Sequence, residues 1–351
     1  MTSDSLTYKA AGVDIDAQEK ALALSKASIK RSATAGVLAD VGLFGGLFDP
    51  AKMGCGDSVL VASADGVGTK LDVAKKVGIY DTVGRDLVQH CIDDILVQGA
   101  RPLFFMDYVG TGKLEPEVVA GLIRGCADAC TDNGLALLGG ETAEMPGLYA
   151  EGDFDLVGFI VGAVARDKIL DGSRVAAGQV LLGLPSLGLH TNGYSLARMV
   201  MFDRLGLALD DKPTELGGRT VAEALLAPHK SYYSALWPLL ERGLIPAMAH
   251  ITGGGLIDNV PRILGGAFDA VFDRDTWERP GLFKMLVEGG QLADDESYRA
   301  FNMGIGMVLF VDEDKCEEVQ NDLRARGEEV FRIGTVQTGT GVVKWDDGAL
   351  S

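Results

Sequence analysis

The stretch Ser63-Ala64-Asp65-Gly66-Val67-Gly68-Thr69-Lys70-Leu71, written SADGVGTKL, joins a strand to a loop built for phosphate. Val59, Leu60 and Val61 just upstream read as a strand, spanning about Asp57 to Ala64, that feeds this loop. The loop is not a Walker A sequence, which needs Gly-Lys followed by Ser or Thr; here the order is Gly-Thr-Lys, and a carboxylate, Asp65, stands at the head. Amides, Thr69 and Lys70 can take phosphate oxygens while Asp65 holds a metal that the same oxygens share. Such a loop suits a nucleoside triphosphate.

Outward from this loop, strands and helices alternate. Asp81 to Gln98 reads as a helix, with Val83, Leu87, Cys91, Ile95 and Leu96 on its apolar stripe and Gly99 and Pro102 ending it. Leu103 to Val109 is a strand, and Pro116 to Thr131 a helix with Glu115 and Glu117 at its start and Asn133-Gly134 after it. Leu135 to Leu138 is a short strand entering GGETAEMPG, and Asp153 to Ala165 a long one. The polar, turn-rich segment Arg166 to Gln179 marks a domain boundary, giving domains 1–168 and 169–351.

The second half changes its punctuation. A strand from Val180 to Leu184 leads to PSLGLHTNGYSLARMV, where a glycine-bearing loop opens a helix near Gly193. Val221 to Gly243 is helical, interrupted by Pro228 and Pro238. AHITGGGLIDNVPRIL runs from a short strand through three glycines into another helix start. A strand near Ala270, helices Gly281 to Glu288 and Asp314 to Arg326, and strands Gly304 to Val311, Val330 to Gly334 and Gly341 to Trp345 follow. Helices do not separate every pair of strands, so the fold class is α+β, two mixed α/β sandwich domains, rather than one doubly wound sheet.

Bulk composition narrows function. The chain has 351 residues, 47% of them apolar, enough for two cores of ordinary size. Net charge is −18 with no basic cluster, which argues against nucleic acid or an anionic membrane as partner. The longest apolar or glycine run, Leu156 to Ala165, is too short to span a bilayer, so a soluble, cytoplasmic protein is expected. Five dispersed cysteines without CxxC spacing fit a reducing compartment, and Cys126 and Cys130 read as small buried residues on one helix. The four histidines, His90, His190, His229 and His250, are too scattered to form a sequence-local zinc site. Glycine is in excess, at 47 residues, about twice the usual share of ~7%.

The carboxylates carry the next step. Asp94 follows Leu87 by seven positions and so falls on or beside the apolar stripe of its helix, where a charge needs a partner. Asp107 and Glu141 read as strand-end residues, like Asp65. Together they can converge on a hard cation such as Mg2+, which takes a few carboxylates and phosphate oxygens. The plain alternative is that each is a helix cap or a turn residue.

Resemblance sharpens this. DILVQGARP, Asp94 to Pro102, is similar to the D-x4-G-A-x-P signature of an ATP-binding superfamily that includes aminoimidazole ribonucleotide synthetase, selenophosphate synthetase and thiamine-monophosphate kinase. YKAAGVDIDA (Tyr8 to Ala17), DGVGTKL (Asp65 to Leu71), GGETAEMPG (Gly139 to Gly147), HTNGYSL (His190 to Leu196) and HITGGGLIDNVPR (His250 to Arg262) resemble, in order and spacing, the phosphoribosylformylglycinamidine cyclo-ligase family, the aminoimidazole ribonucleotide synthetases of purine biosynthesis.

The resemblance implies a ligase that turns formylglycinamidine ribonucleotide and ATP into 5-aminoimidazole ribonucleotide, ADP and phosphate. It implies Mg2+ on Asp65, Asp94 and Glu141, and nucleotide contacts from Gly66, Gly68, Thr69, Lys70, Asp107, Gly139, Gly140 and Thr142. Lys26 matches an early family lysine associated with the nucleotide, and the catalytic work is implied to fall to His190, Lys26 and Asp65. His190 and Asn192 are placed near the substrate, and Gly253, Gly254 and Gly255 at its 5'-phosphate. A homodimer is also implied, in which the N-terminal domains join their sheets into a barrel.

Two positions depart from the family pattern. Asp93 stands where an asparagine is usual, which adds charge beside Asp94, and Arg101 stands where an acidic residue is expected. Two rival readings stay open: another phosphotransferase of the superfamily, which would lack the HTNGYSL and HITGGG pair, and a silent nucleotide binder, which would lack the carboxylates or His190.

Overall fold

The computed structural model describes residues 15–37 and 48–346. The Tyr8 to Ala17 motif before Ile15, and the glycine-rich VGLFGGLF before Phe48, lie outside the described residues. The chain divides into two compact units. One comprises the described residues up to Cys91 together with Pro102–Ala163, the other Ile92–Arg101 together with the described residues from Val164 onward. Both are mixed α/β, and each is built on one sheet.

The first unit contains α1 (Ile15–Arg31), β1 (Val59–Gly66), α2 (Lys70–Val77), most of α3 (Asp81–Leu96), β2 (Arg101–Thr111), α4 (Pro116–Asn133), β3 (Ala136–Glu144) and β4 (Phe154–Val164). Its strand order is β1-β4-β2-β3, with β2 and β3 parallel and α4 as their crossover. Helix α4 begins with Pro116 in its first turn, where a missing N–H is harmless, and ends at left-handed Gly134. The inner side of β4 is tight: a Cβ on Gly158 would lie 2.2 Å from the Phe105 ring and 2.9 Å from Leu87. The next residue, Phe159, turns outward by the two-residue period of a strand and is 44% exposed. Cys126 and Cys130 are buried in α4, and burial pushes both thiols well up, as befits small apolar residues.

The second unit contains β5 (Val180–Pro185), α5 (Tyr194–Arg198), α6 (Val221–Leu225), α7 (Tyr233–Glu241), β6 (Ala247–His250), α8 (Gly255–Asn259), α9 (Pro261–Leu264), β7 (Phe268–Phe272), α10 (Gly281–Gly290), α11 (Asp294–Ala300), β8 (Ile305–Val311), α12 (Cys316–Ala325), β9 (Phe331–Thr338) and β10 (Val343–Trp345). Helix α5 runs on into a π-helical turn, Met199–Arg204. The sheet order is β10-β7-β9-β5-β8-β6. β5 lies antiparallel to both β8 and β9, which is why no crossover helix is needed between them. Leu182 and Leu184 of β5 and Leu309 of β8 pack with Leu236 and Leu239 of α7 and Leu323 of α12, and Leu96 at the end of α3 joins this core.

The helix expected over Val221 to Gly243 is two helices with a non-helical link. Pro228 has no N–H to give and disfavours helix at the residue before it, so the chain leaves α6 and re-enters helix only at Tyr233. That link carries His229. Pro238 is tolerated inside α7.

Candidate active site

In the first unit, β1 delivers Asp65 to the glycine loop. Its Oδ1 accepts the Gly66 N–H at 2.6 Å and its Oδ2 lies 2.9 Å from His90 Nε2 of α3. Val67 is buried and anchors the loop, while left-handed Gly68 and Thr69 are exposed ahead of α2. Amide groups at a turn into a helix favour anions.

Lys70 departs from its expected place on phosphate. Its side chain is fully buried and its ammonium meets Asp86 Oδ2 at 2.6 Å. Burial lowers its pKa, and the charge and hydrogen bond of Asp86 oppose that shift. A buried ammonium requires such a partner, so the lysine turns beneath the loop toward α3 rather than out of it. Asp86 gives no local sign of this role in the sequence.

Asp107 and Glu141 are also placed differently from expectation, because both strands continue past them. β2 runs to Thr111 and β3 to Glu144, with Asp107 opposite Gly140 and Tyr108 opposite Glu141. The pairing needs a glycine: a Cβ at Gly140 would stand 2.5 Å from Asp107 Oδ1. Burial pushes the Asp107 carboxyl up to about 7, countered in part by a hydrogen bond from its own backbone. Glu141 is exposed and its Oε1 accepts the Thr142 N–H at 2.8 Å; Gly139 precedes this pair in the strand. Lys26 is exposed on α1, between buried Ser25 and Ser28.

In the second unit the HTNGYSL and HITGGG motifs come together. Gly253 lies against the Asn192 amide, whose Oδ1 would be 3.2 Å from a Cβ there. Asn259 of α8 laces the glycine loop, donating through Nδ2 to the carbonyls of Gly255 at 2.8 Å and of Gly253 at 3.2 Å. Gly254 and Gly255 both have positive φ, 98° and 57°, open to glycine without strain. His190 is fully buried and adopts φ 61°. Gly306 of β8 leaves room for it, since a Cβ there would lie 2.5 Å from the His190 ring and 2.1 Å from the Tyr232 hydroxyl.

His190 does not stand alone. Its ring stacks on His229 with centroids 4.0 Å apart, and His229 Nε2 lies 3.1 Å from His250 Nε2. His250 Nδ1 is in turn 2.9 Å from Asp94 Oδ1. One ring nitrogen from each of these three histidines can be chosen within 4.8 Å of the other two. The sequence assigned no role to His229 or His250; His250 at least opens the HITGGG motif, whereas His229 has only the helix-breaking Pro228 before it. Asp93, which departs from the family pattern, is fully buried, and its Oδ1 accepts the Tyr232 N–H at 3.0 Å. Burial pushes its carboxyl well up, so a charge on Asp93 beside Asp94 is disfavoured.

Asp65 and Glu141 in the first unit and Asp94 in the second are each carboxylates, hard oxygen donors of the kind Mg2+ takes, rather than soft thiolates.

The residues 48–164 match the family model described as AIR synthase related protein, N-terminal domain, and residues 176–346 match AIR synthase related protein, C-terminal domain. The chain is 47% identical over 96% of its length, and 96% of the relative's, to the phosphoribosylformylglycinamidine cyclo-ligase of Citrifermentans bemidjiense. It is 48% identical to the protein of the same name from Geotalea daltonii, again over 96% of each chain. Among solved structures, it resembles a thiamine-monophosphate kinase from Stenotrophomonas maltophilia at TM-score 0.70 and 18% identity, covering 93% of this chain and 96% of that one. It also resembles hydrogenase maturation protein HypE in complex with ATP, at TM-score 0.63 and 16% identity over 94% and 91% of the two chains. At such identities the structural likeness speaks for the fold alone.

Proposed function

Because the chain belongs to the phosphoribosylformylglycinamidine cyclo-ligase family, we propose that it closes the ring of 5-aminoimidazole ribonucleotide from formylglycinamidine ribonucleotide, converting ATP to ADP and phosphate. The observation that carries this is the 47% identity across 96% of both chains.

The chemistry suits a site with no protein nucleophile. The formyl oxygen takes the γ-phosphoryl group of ATP and ADP leaves. The substrate's own nitrogen then attacks the formyl carbon, phosphate departs with that oxygen, and proton loss gives the aromatic ring. Ring closure within one bound molecule gains from effective concentration, so alignment and charge neutralisation are what the protein must supply. Mg2+, when bound, would neutralise the triphosphate oxygens, and Asp65, Asp94 and Glu141 are the residues proposed to hold it.

The amides of Gly66, Gly68 and Thr69 are proposed to take phosphate oxygens, with Lys70 adding positive charge from beneath the loop. Asp107, Gly139, Gly140 and Thr142 shape the nucleotide contacts along β2 and β3, and Lys26 adds a cation from α1. His190 polarises the formyl oxygen or carries the released protons, Asn192 orients the substrate, and Gly253, Gly254 and Gly255 offer backbone to the 5'-phosphate. The proposed division of labour gives ATP, Mg2+ and dimerisation to residues 1–168 and the substrate loops to 169–351. A homodimer with its N-terminal sheets joined into a barrel is part of this reading, supported by outward-facing Leu60 and Phe159, which are 61% and 44% exposed. A cytoplasmic location is proposed as well; no helix among the described residues is long and apolar enough to cross a membrane.

The test is a coupled assay with Mg·ATP and formylglycinamidine ribonucleotide, following ADP release and a diazo-coupling colour for the aminoimidazole. Equal appearance of both is expected. ADP without aminoimidazole would keep the nucleotide site and reject the acceptor. Neither product, from folded protein, would reject the enzyme reading.

A further inference from the structure

The cluster of three histidines in the second unit contains more order than the reaction requires of His190 alone, and the hydrogen-bond chemistry of its atoms fixes a direction. Asp94 Oδ1 lies 2.9 Å from His250 Nδ1. A carboxylate only accepts, so the proton of a neutral His250 sits on Nδ1. Its Nε2 is then a lone pair, 3.1 Å from His229 Nε2. Two ring nitrogens at that separation share one proton, so His229 Nε2 is the donor. That nitrogen also faces Asp93 Oδ2 at 3.6 Å, a second acceptor for its proton. In a neutral His229 the other nitrogen, Nδ1, then accepts, and the group facing it at 3.4 Å is the Thr191 hydroxyl. Thr191 Oγ1 in turn accepts from Asn192 Nδ2 at 3.4 Å.

We propose that His229 is a positioning residue, which through this one-way chain from Asn192 and Thr191 holds His250 in its Nδ1–H form and so fixes the carboxylate of Asp94. The chain links a residue placed near the substrate with one placed at the metal. Several features hold His229 in register. Its link segment is pinned by the Tyr232 N–H on Asp93 Oδ1 at 3.0 Å and by the Tyr232 hydroxyl on the Pro185 carbonyl at 2.9 Å. His190 stacks over its face with ring planes 30° apart. The same stacking separates this arrangement from a three-histidine metal centre: stacked rings send their lone pairs side by side, whereas ligands of one ion must aim them at a single point. A histidine held by a carboxylate through one nitrogen has its tautomer set by the other, the same logic by which outer partners tune metal ligands.

The role given to Asp94 rests on the proposed function; the tautomers do not, and the experiment separates the two. With four histidines in the chain, two-bond 1H–15N spectra of the full-length protein can be assigned from single-histidine variants. His250 is expected as the Nδ1–H tautomer and His229 as the Nε2–H tautomer. His250 carrying its proton on Nε2, or on both nitrogens, would overturn the proposal. The binding arm uses Mg2+ with a non-hydrolysable ATP analogue. His229→Leu, checked for fold by circular dichroism, should weaken binding about tenfold, the lower range for loss of a partner behind a metal ligand. His229→Gln, whose amide N–H replaces the donor at Nε2, should restore both the affinity and the His250 tautomer. Weaker binding in Asp94→Asn with no change in His229→Leu would overturn the positioning role. Unchanged binding in Asp94→Asn, with the tautomers as expected, would instead remove Asp94 from the metal and leave the chain standing. A stoichiometric Co2+ shift at all three rings would replace the chain with a metal centre and overturn it.

Discussion

Asp107 holds its carboxyl where water does not reach it, and its protonation therefore ties stability to pH. Burial pushes its pKa from 3.8 up to about 7. Between those values the folded protein keeps a proton that the unfolded chain has lost. Its contribution to stability is thus intact below about pH 4, falls as pH rises, and is fully lost above about pH 7, a change of at most about 4 kcal/mol. Asp107→Asn is neutral throughout. In Mg2+-free buffer, urea midpoints should show the variant gaining on the parent protein between pH 5 and pH 8; a difference that stays flat would mean that Asp107 is not held neutral at the lower pH. This environment was only half legible in the sequence. Asp107 could be marked as an acidic residue in a strand, but its burial depends on Gly140, which comes from another strand and leaves the space it fills. Lys70 carries the same lesson: the loop that contains it is readable, whereas Asp86, which draws its ammonium inward, lies on a different element.

At the scale of elements, the three glycines at the start of α8 have three different reasons. Gly253 makes room for Asn192, Gly254 for Asp258, and Gly255 lets α8 approach α11, since a Cβ at 255 would fall 1.9 Å from the Tyr298 carbonyl oxygen. The motif announces a turn into a helix, but not these contacts, because Asn192 and Tyr298 are dozens of residues away. Gly255→Ala should therefore cost more than the ~1–3 kcal/mol typical of an unfavourable positive φ. Gly265→Ala is the control: its φ is 67° but nothing lies within 4 Å of the added Cβ, so only backbone strain is expected. Denaturation midpoints of the two variants measure the difference; equal losses would show that α8 and α11 yield easily. Helices with strong ends were the most readable elements, as in α4, where Pro116 and Gly134 mark both limits. The link between α6 and α7 shows the opposite case. Pro228 forecast a break there, but nothing local forecast that the break would carry His229 to His250.

For the whole molecule, alternating patterns of apolar residues gave two mixed α/β halves, while strand order stayed hidden. β5 pairs with β8 and β9, more than a hundred residues downstream, and no local pattern encodes such partners. One surface feature bears on the proposed assembly. The outward residues of β1 read Leu60, Ala62 and Ala64, and β4 beside it turns out Phe159, so neighbouring strands of the first unit offer apolar side chains to solvent. Leu60 and Phe159 are exposed to 61% and 44%, and this apolar surface is where the proposed dimer would place its seam. Light scattering after size exclusion should give the mass of two chains for the parent protein, and that of one for Leu60→Glu with Phe159→Glu. A parent protein that elutes as a single chain would remove the proposed barrel. A double variant that remains dimeric would move the interface to another face. A charge buried in such a seam is strongly disfavoured, whereas on an exposed strand it is harmless, so the variant separates assembly from folding if its denaturation midpoint at low protein concentration matches that of the parent.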